Sequence, residues 1–311
     1  MRKVFKESDL QIEFDKKGYT CIPFLSGKEV EILIKDYFEL LPERGGNLLG
    51  EDTDFATADA VTYDFTFIDR SSVYKQKVFD RITGIFMPRI ATILEDYKPI
   101  IANFIFKKPD GGEVPLHQNW AFVDEEKYTS VSLWCPLVDS NTANGTLQFV
   151  NGSHKRYGKW RGPMVPWELD SVKDQIIKKH LTPIDRRAGE AIILDDSVIH
   201  YSNINYTKGL RLAIQLILIP AEAESIHYHM NPNEDAKTIH MIEVDRDFYM
   251  GFNPWMKPKN TKHIKNIKFK KSSLSETEFL KILEGPRFDQ TNTNLNLLQR
   301  AKNKLMSTIR K

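Results

Sequence analysis

The chain has 311 residues, 41% of them hydrophobic, and a formal net charge of +2 at pH 7. That length suits one large domain or two modest ones, and that hydrophobic share suits a globular protein with a real core. So small a net charge gives no electrostatic footprint for nucleic acid, and no apolar run approaches the roughly 20 residues that a membrane helix needs. Cys21 and Cys135 are too few and too far apart for a disulfide framework, which suits a reducing cytoplasm. The start, MRKVFKESDLQIEF, is basic but lacks a long apolar stretch, so no secretory leader is expected.

In chain order, residues 8–24 read as a helix that Ser8 caps and Gly18 ends, followed by a strand over Tyr19–Phe24. Ser26–Leu41 reads as a second helix, capped by Ser26, with Val30, Ile32, Leu33, Ile34, Tyr37 and Phe38 along an apolar stripe. Gly45-Gly46 breaks it. Residues 47–72 are polar with scattered aromatics, as in loops and short strands over a site. Val73–Tyr97 gives a further amphipathic helix. From residue 100 the texture becomes short strands between Gly, Asp, Asn and Pro turns: Ile101–Lys107, Ser130–Leu137, Thr146–Val150, Ala191–Leu194 and Leu210–Ile219. Helices first and strands afterwards predict a mainly β fold with flanking helices, its core a sandwich or barrel of the jelly-roll type. Residues 154–187 form a charged insertion where a lid or substrate loop would sit. Residues 1–285 then make a single domain. Residues 286–294 read as a polar linker and Leu295–Lys311 as a basic C-terminal helix.

The chemistry concentrates in His117-Gln118-Asn119, His200 and Arg211. Residues i and i+2 of a strand share a face, so His117 and Asn119 aim together while Gln118 turns away. Two imidazoles and a carboxylate make one face of a non-haem iron site and leave positions open for oxygen and a co-substrate. Here the third position holds an amide. Asp195-Asp196-Ser197 reads as a turn ahead of His200. Arg211, on the following strand, needs an anion if it is buried, and a guanidinium pairs bidentately with a carboxylate. Ser132 and Trp134 share a strand face and could line the pocket, with Asn103 on the strand before the histidine. Asp124, Glu125 and Glu126 read as a solvated loop. His227-Tyr228-His229 has metal-pair spacing but no obvious further ligand, and it reads as structure. Tyr228, Phe248, Tyr249, Phe252 and Trp255 read as core or as a cover over the substrate.

The ordered set His117-Gln118-Asn119, Ser132–Leu137 and Asn144–His154, then Gly189–Asp195, His200–Asn205 and Arg211, resembles the phytanoyl-CoA dioxygenase family from about Ile101 to Pro220. The resemblance implies a double-stranded β-helix (cupin-like jelly roll) and iron(II) held by a His-x-Asp…His set. Iron would then fall to His117, Asn119 and His200. It also implies 2-oxoglutarate as co-substrate, its far carboxylate on the arginine eleven residues after the second histidine. Arg211 stands there, Ser202 stands where the family often has a hydroxyl, and Trp134 matches a site-facing tryptophan. The expected activity is a 2-oxoglutarate-dependent dioxygenase that hydroxylates a small molecule or biosynthetic intermediate; cyclisation and desaturation share its opening steps.

Asn119 departs from the pattern. An amide is neutral, and its oxygen is a poorer donor than a carboxylate's. Three outcomes stay open on sequence. The amide oxygen ligates, and the chain is an oxygenase. The position is ceded to an exogenous anion such as chloride, and the chain is a halogenase. Or the site is catalytically poor, and the chain is a binding relative of the fold.

Overall fold

Alternation along the strands decides how this chain stacks. The computed structural model describes residues 2–46, 63–253, 258–259 and 261–290. Its strands are β1 (Tyr19–Pro23), β2 (Tyr63–Phe65), β3 (Tyr97–Lys107), β4 (Val114–His117), β5 (Val131–Pro136), β6 (Leu147–Phe149) and β7 (Thr182–Pro183). They continue as β8 (Glu190–Asp195), β9 (His200–Ser202), β10 (Arg211–Pro220), β11 (Ile226–His229), β12 (Thr238–Glu243) and β13 (Lys262–Lys268). One antiparallel sheet has the order β1-β8-β5-β10-β3-β2, a second β4-β9-β6-β7, and a third β11-β12-β13. The helices are α1 (Ser8–Lys17), α2 (Gly27–Leu40), α3 (Ser72–Ile93), α4 (Lys173–Lys179), α5 (Arg246–Met250) and α6 (Glu276–Glu284).

The large sheet buries both of its faces. Val131, Leu133 and Cys135 of β5, Ala102 and Phe104 of β3, and Leu212, Ile214, Leu216 and Leu218 of β10 join the apolar stripes of α1, α2 and α3 in one core. The intervening residues face the other way. Trp134, Ile192, Leu194 and Ala213 pack with Leu147 and Phe149 of the smaller sheet, so the two sheets close on each other. This is a jelly roll with helices against one face, and the inward set (Asn103, Lys107, Ser132, Trp134, Arg211 and Gln215) carries the polar chemistry.

Local signals account for most boundaries. Ser26 caps α2 in a reciprocal capping box with Glu29. Replacing Ser26 with alanine should cost about 1 kcal/mol. That would appear as a lower urea midpoint at an unchanged slope, and an unmoved midpoint would show the cap to be idle. Ser8, expected as a cap, is instead the first residue of α1, and Glu7 holds the cap position without a side-chain bond. The entering chain is pinned differently, by Gln11 Oε1 accepting from the Val4 and Phe5 amides. Tyr97, expected at the end of a helix, opens β3 instead. α3 stops at Ile93, and Asp96 at φ 49° turns the chain. The proposed C-terminal helix over Leu295–Lys311 lies outside the described residues, as do Trp255 and residues 47–62.

Candidate active site

β4 and β9 pair antiparallel, with His117 opposite His200, and their ring centroids lie 4.1 Å apart. His117 Nδ1 is 2.8 Å from the Pro115 carbonyl, and His200 Nδ1 is 2.9 Å from that of Val198. A carbonyl can only accept, so each Nδ1 carries the hydrogen and each Nε2 keeps its lone pair. Burial pushes both imidazoles below their ordinary range, and for His200 the neighbouring His117 adds to it. Both are therefore neutral at pH 7, the form that binds metals.

Asn119 lies beyond the strand, because β4 ends at His117. It reaches the same site through irregular backbone, and its carbonyl accepts from Arg161 Nε at 2.7 Å. Its side-chain Nδ2 donates to Ser132 Oγ at 3.0 Å and to Asp196 Oδ1 at 2.9 Å. Gln118, between the two, also lines the cavity but spends its side chain on other partners. Its amide donates to the Ser197 carbonyl at 2.6 Å and its oxygen accepts from Trp167 Nε1 at 2.9 Å. Among the described residues, no cluster of three or more His, Cys, Asp or Glu side chains could hold a metal. A cation here would therefore rest on two imidazoles and an amide oxygen.

Arg211 opens β10 and is buried. Its Nε and Nη1 have no hydrogen-bond partner among the described residues. Nη2 lies 3.4 Å from Ser202 Oγ, and the guanidinium sits 5.7 Å from the Trp134 ring centroid. Burial pushes Arg211 down to about 9. Lys107, at the inward end of β3, lies alongside. Its Nζ donates to Ser202 Oγ and the Asn203 carbonyl, both at 2.5 Å, and burial together with the Arg211 charge pushes it down to about 6. A Cβ on Gly145, at φ +78°, would meet the Asn203 carbonyl at 2.2 Å and Lys107 Nζ at 2.8 Å, so only glycine fits over this corner. Inward alternation from Ile101 through Asn103 and Ile105 would have found Lys107 in the sequence; nothing there singled it out.

These groups share one cavity of about 380 Å³, lined by His117, Asn119, Trp134, His200, Ser202 and Arg211. The rest of its wall is mostly apolar, including Phe65, Phe67, Ile101, Trp120 and Phe122, with Pro163 and Met164 contributed by the 154–187 segment. A second cavity of about 440 Å³ shares His117, Gln118 and Trp120 and carries Arg156, Lys159 and Lys270. Asn103 donates to Gln215 at 3.1 Å, and Gln215 approaches Ser132 Oγ at 3.5 Å, so a polar chain crosses the sheet to Asn119.

Other candidates fall elsewhere. Glu125, expected in a solvated loop, is buried and forms a two-pronged pair with Arg161 at 2.6 and 2.8 Å. Two buried charges of opposite sign hold each other in, and the flanking Asp124 and Glu126 pair with lysines at the surface instead. His227 packs against Trp120, Phe248 and Phe252, with ring centroids 5.2 to 5.9 Å away. Burial pushes it down to about 3. Tyr249 and Phe252 are buried in the same aromatic group. Asp196, read as part of a turn, is the residue that sequence reasoning missed. It is buried behind Asn119, and Ser132 Oγ donates to it at 2.7 Å. Burial pushes its carboxyl up to about 7 against the hydrogen bonds from Ser132 and Asn119.

Comparison with known proteins agrees with this geometry. Residues 14–213 match the phytanoyl-CoA dioxygenase (PhyH) family. The chain is 29% identical over 180 residues to a phytanoyl-CoA dioxygenase domain-containing protein 1 homolog of Dictyostelium discoideum, covering 54% of this chain and 60% of that protein. It is 32% identical over 124 residues to phytanoyl-CoA dioxygenase 1 of Oryza sativa subsp. japonica, covering 38% of this chain and 43% of that one. The chain thus spans about half the length of the curated relatives it matches. In structure it is similar to the non-haem α-ketoglutarate-dependent carbocyclase SnoK from nogalamycin biosynthesis, with a TM-score of 0.52 and 17% identity over 70% of this chain and 86% of that one. It is similar too to the epimerase SnoN, solved with Fe3+, α-ketoglutarate and nogalamycin RO, with a TM-score of 0.52 and 19% identity over 70% and 84%. The fold and the length of the family match together define the class: the chain belongs to the phytanoyl-CoA dioxygenase family of iron(II)- and 2-oxoglutarate-dependent oxygenases. No helix among the described residues is long and apolar enough to cross a membrane.

Proposed function

We propose that this chain is a working oxygenase that hydroxylates a small molecule, with iron(II) held by His117, His200 and the amide oxygen of Asn119. The residues fit the ion: two neutral imidazoles whose Nδ1 atoms face backbone carbonyls share a cavity with an amide whose nitrogen is already engaged. Arg211 holds the far carboxylate of 2-oxoglutarate, Ser202 steadies it, and Trp134 covers the guanidinium. The observation that carries this reading is the buried guanidinium with two nitrogens unpaired, in the same cavity as the two histidines. A buried cation without an acceptor costs several kcal/mol, and a ligand carboxylate removes that cost. With iron bound, the site would use dioxygen to convert 2-oxoglutarate to succinate and carbon dioxide, one oxygen atom passing to succinate and the other into a substrate C–H bond.

The chain's own residues do the positioning. The carbonyls of Pro115 and Val198 fix the imidazole tautomers, Phe67, Trp120 and Phe122 exclude water from the reacting space, and Pro163 and Met164 close its rim. That apolar wall suits a substrate with a hydrocarbon or ring portion. An amide held by two hydrogen bonds favours ligation by Asn119 over cession of the position to chloride. Anaerobic addition of iron(II) and 2-oxoglutarate should give a visible metal-to-ligand charge-transfer band, and succinate should form on admission of air. A chain that gave neither would be a binding relative of the fold.

A further inference from the structure

Asp196 explains how an amide can serve at position 119. An amide has one donor end and one acceptor end. The donor end of Asn119 is fixed twice, on Asp196 Oδ1 at 2.9 Å and on Ser132 Oγ at 3.0 Å. Ser132 donates its own hydrogen to the same Asp196 oxygen at 2.7 Å, which closes a three-membered ring of hydrogen bonds. Asp196 and Ser132 are both buried, and Asp196 sits in the turn that carries the chain from β8 to His200 on β9. Ser132 is held from its far side by Gln215, and Gln215 by Asn103. With its nitrogen so engaged, the amide presents its oxygen to the cavity it shares with His117 and His200.

We propose that Asp196 is a positioning residue of the metal centre: by accepting from the Asn119 amide nitrogen it turns Oδ1 of that amide toward the cation. This rests on the metal-binding reading of His117 and His200. A carboxylate that accepts an amide N–H also polarises the amide and makes its oxygen a better donor. Asn119 and Asp196 then act as one unit, a ligand and its anchor from distant parts of the chain.

The test is cobalt(II) affinity of the full-length protein, measured by competition against a chelating dye, with the cobalt absorption spectrum as a second readout. Asp196→Ala should weaken binding about tenfold to a hundredfold, as losses of residues that orient metal ligands do. Asp196→Asn, which keeps an acceptor oxygen in the same place, should bind within about threefold of the parent. The exchanged double variant, Asn119→Asp with Asp196→Asn, should also bind within about threefold of the parent. An Asp196→Ala protein that binds cobalt like the parent overturns the proposal. So does a folded Asp196→Asn protein that loses more than about tenfold in affinity, a result that decides the matter even where Asp196→Ala does not fold. A parent that binds neither cobalt(II) nor iron(II) removes the oxygenase reading itself, and this proposal with it.

Discussion

Replacing Arg211 with glutamine should raise the 2-oxoglutarate concentration for half-saturation about a hundredfold or more, while cobalt(II) affinity in the absence of 2-oxoglutarate stays within about threefold. A buried charged pair that loses one partner costs roughly 2–5 kcal/mol, and each 1.4 kcal/mol is about tenfold in affinity. Arg211 Nε and Nη1 are free to bind among the described residues, so nearly all of that interaction is reserved for the ligand. The same substitution should raise the melting temperature of the ligand-free protein. Burial holds the Arg211 pKa below its ordinary value, down to about 9. A cation whose folded pKa is depressed opposes folding at every pH below that value and is relieved only as pH rises through it. Neutral glutamine has no such penalty. Calorimetric titration with 2-oxoglutarate and a thermal melt of each protein measure both effects. An unchanged half-saturation would remove Arg211 from the co-substrate site.

The second large effect is expected at Arg161. Its guanidinium pairs with Glu125 at 2.6 and 2.8 Å, donates to the Gly158 carbonyl at 2.7 Å, and donates through Nε to the Asn119 carbonyl at 2.7 Å. Both charged side chains are nearly inaccessible, at 5% and 3% exposure. Arg161→Met leaves a buried carboxylate alone and should cost about 3–5 kcal/mol in urea unfolding. Adding Glu125→Leu should recover much of the loss, because a matched apolar pair often replaces a buried ion pair without penalty. Metal affinity should stay low in the double variant, since the backbone of Asn119 has lost its clamp. A single variant that costs under about 1 kcal/mol would show that water reaches this pair.

How far the sequence carries can be read residue by residue. The strands that alternate were legible because period two separates the core face from the cavity face: Leu133 and Cys135 pack toward the helices while Ser132 and Trp134 face inward. His117, His200, Ser202, Arg211 and Trp134, drawn together in the sequence by motif spacing and the family resemblance, line one cavity. Asn119 lines it too, but not as a strand residue, since β4 ends before it and Arg161 holds its backbone. Asp196 was hidden because its partner is 77 positions earlier, and only the register between β4 and β9 brings the two together. Glu125 was misread because a run of three acidic residues looks solvated, and nothing local reveals that the middle one faces an arginine from the 154–187 segment.

The buried Arg211 beside Lys107 has a thermodynamic consequence. Lys107 satisfies itself on Ser202 and Asn203, but Arg211 is left with donors unfilled among the described residues, and on the proposed reading a solute fills them. Any small dianion that fills that place stabilises the native state by mass action, about 2.7 kcal/mol at a hundred times its dissociation constant. The fraction of chains that are folded would then follow the concentration of the dicarboxylate around them, and the abundance of the protein would track a metabolite level as well as its own synthesis.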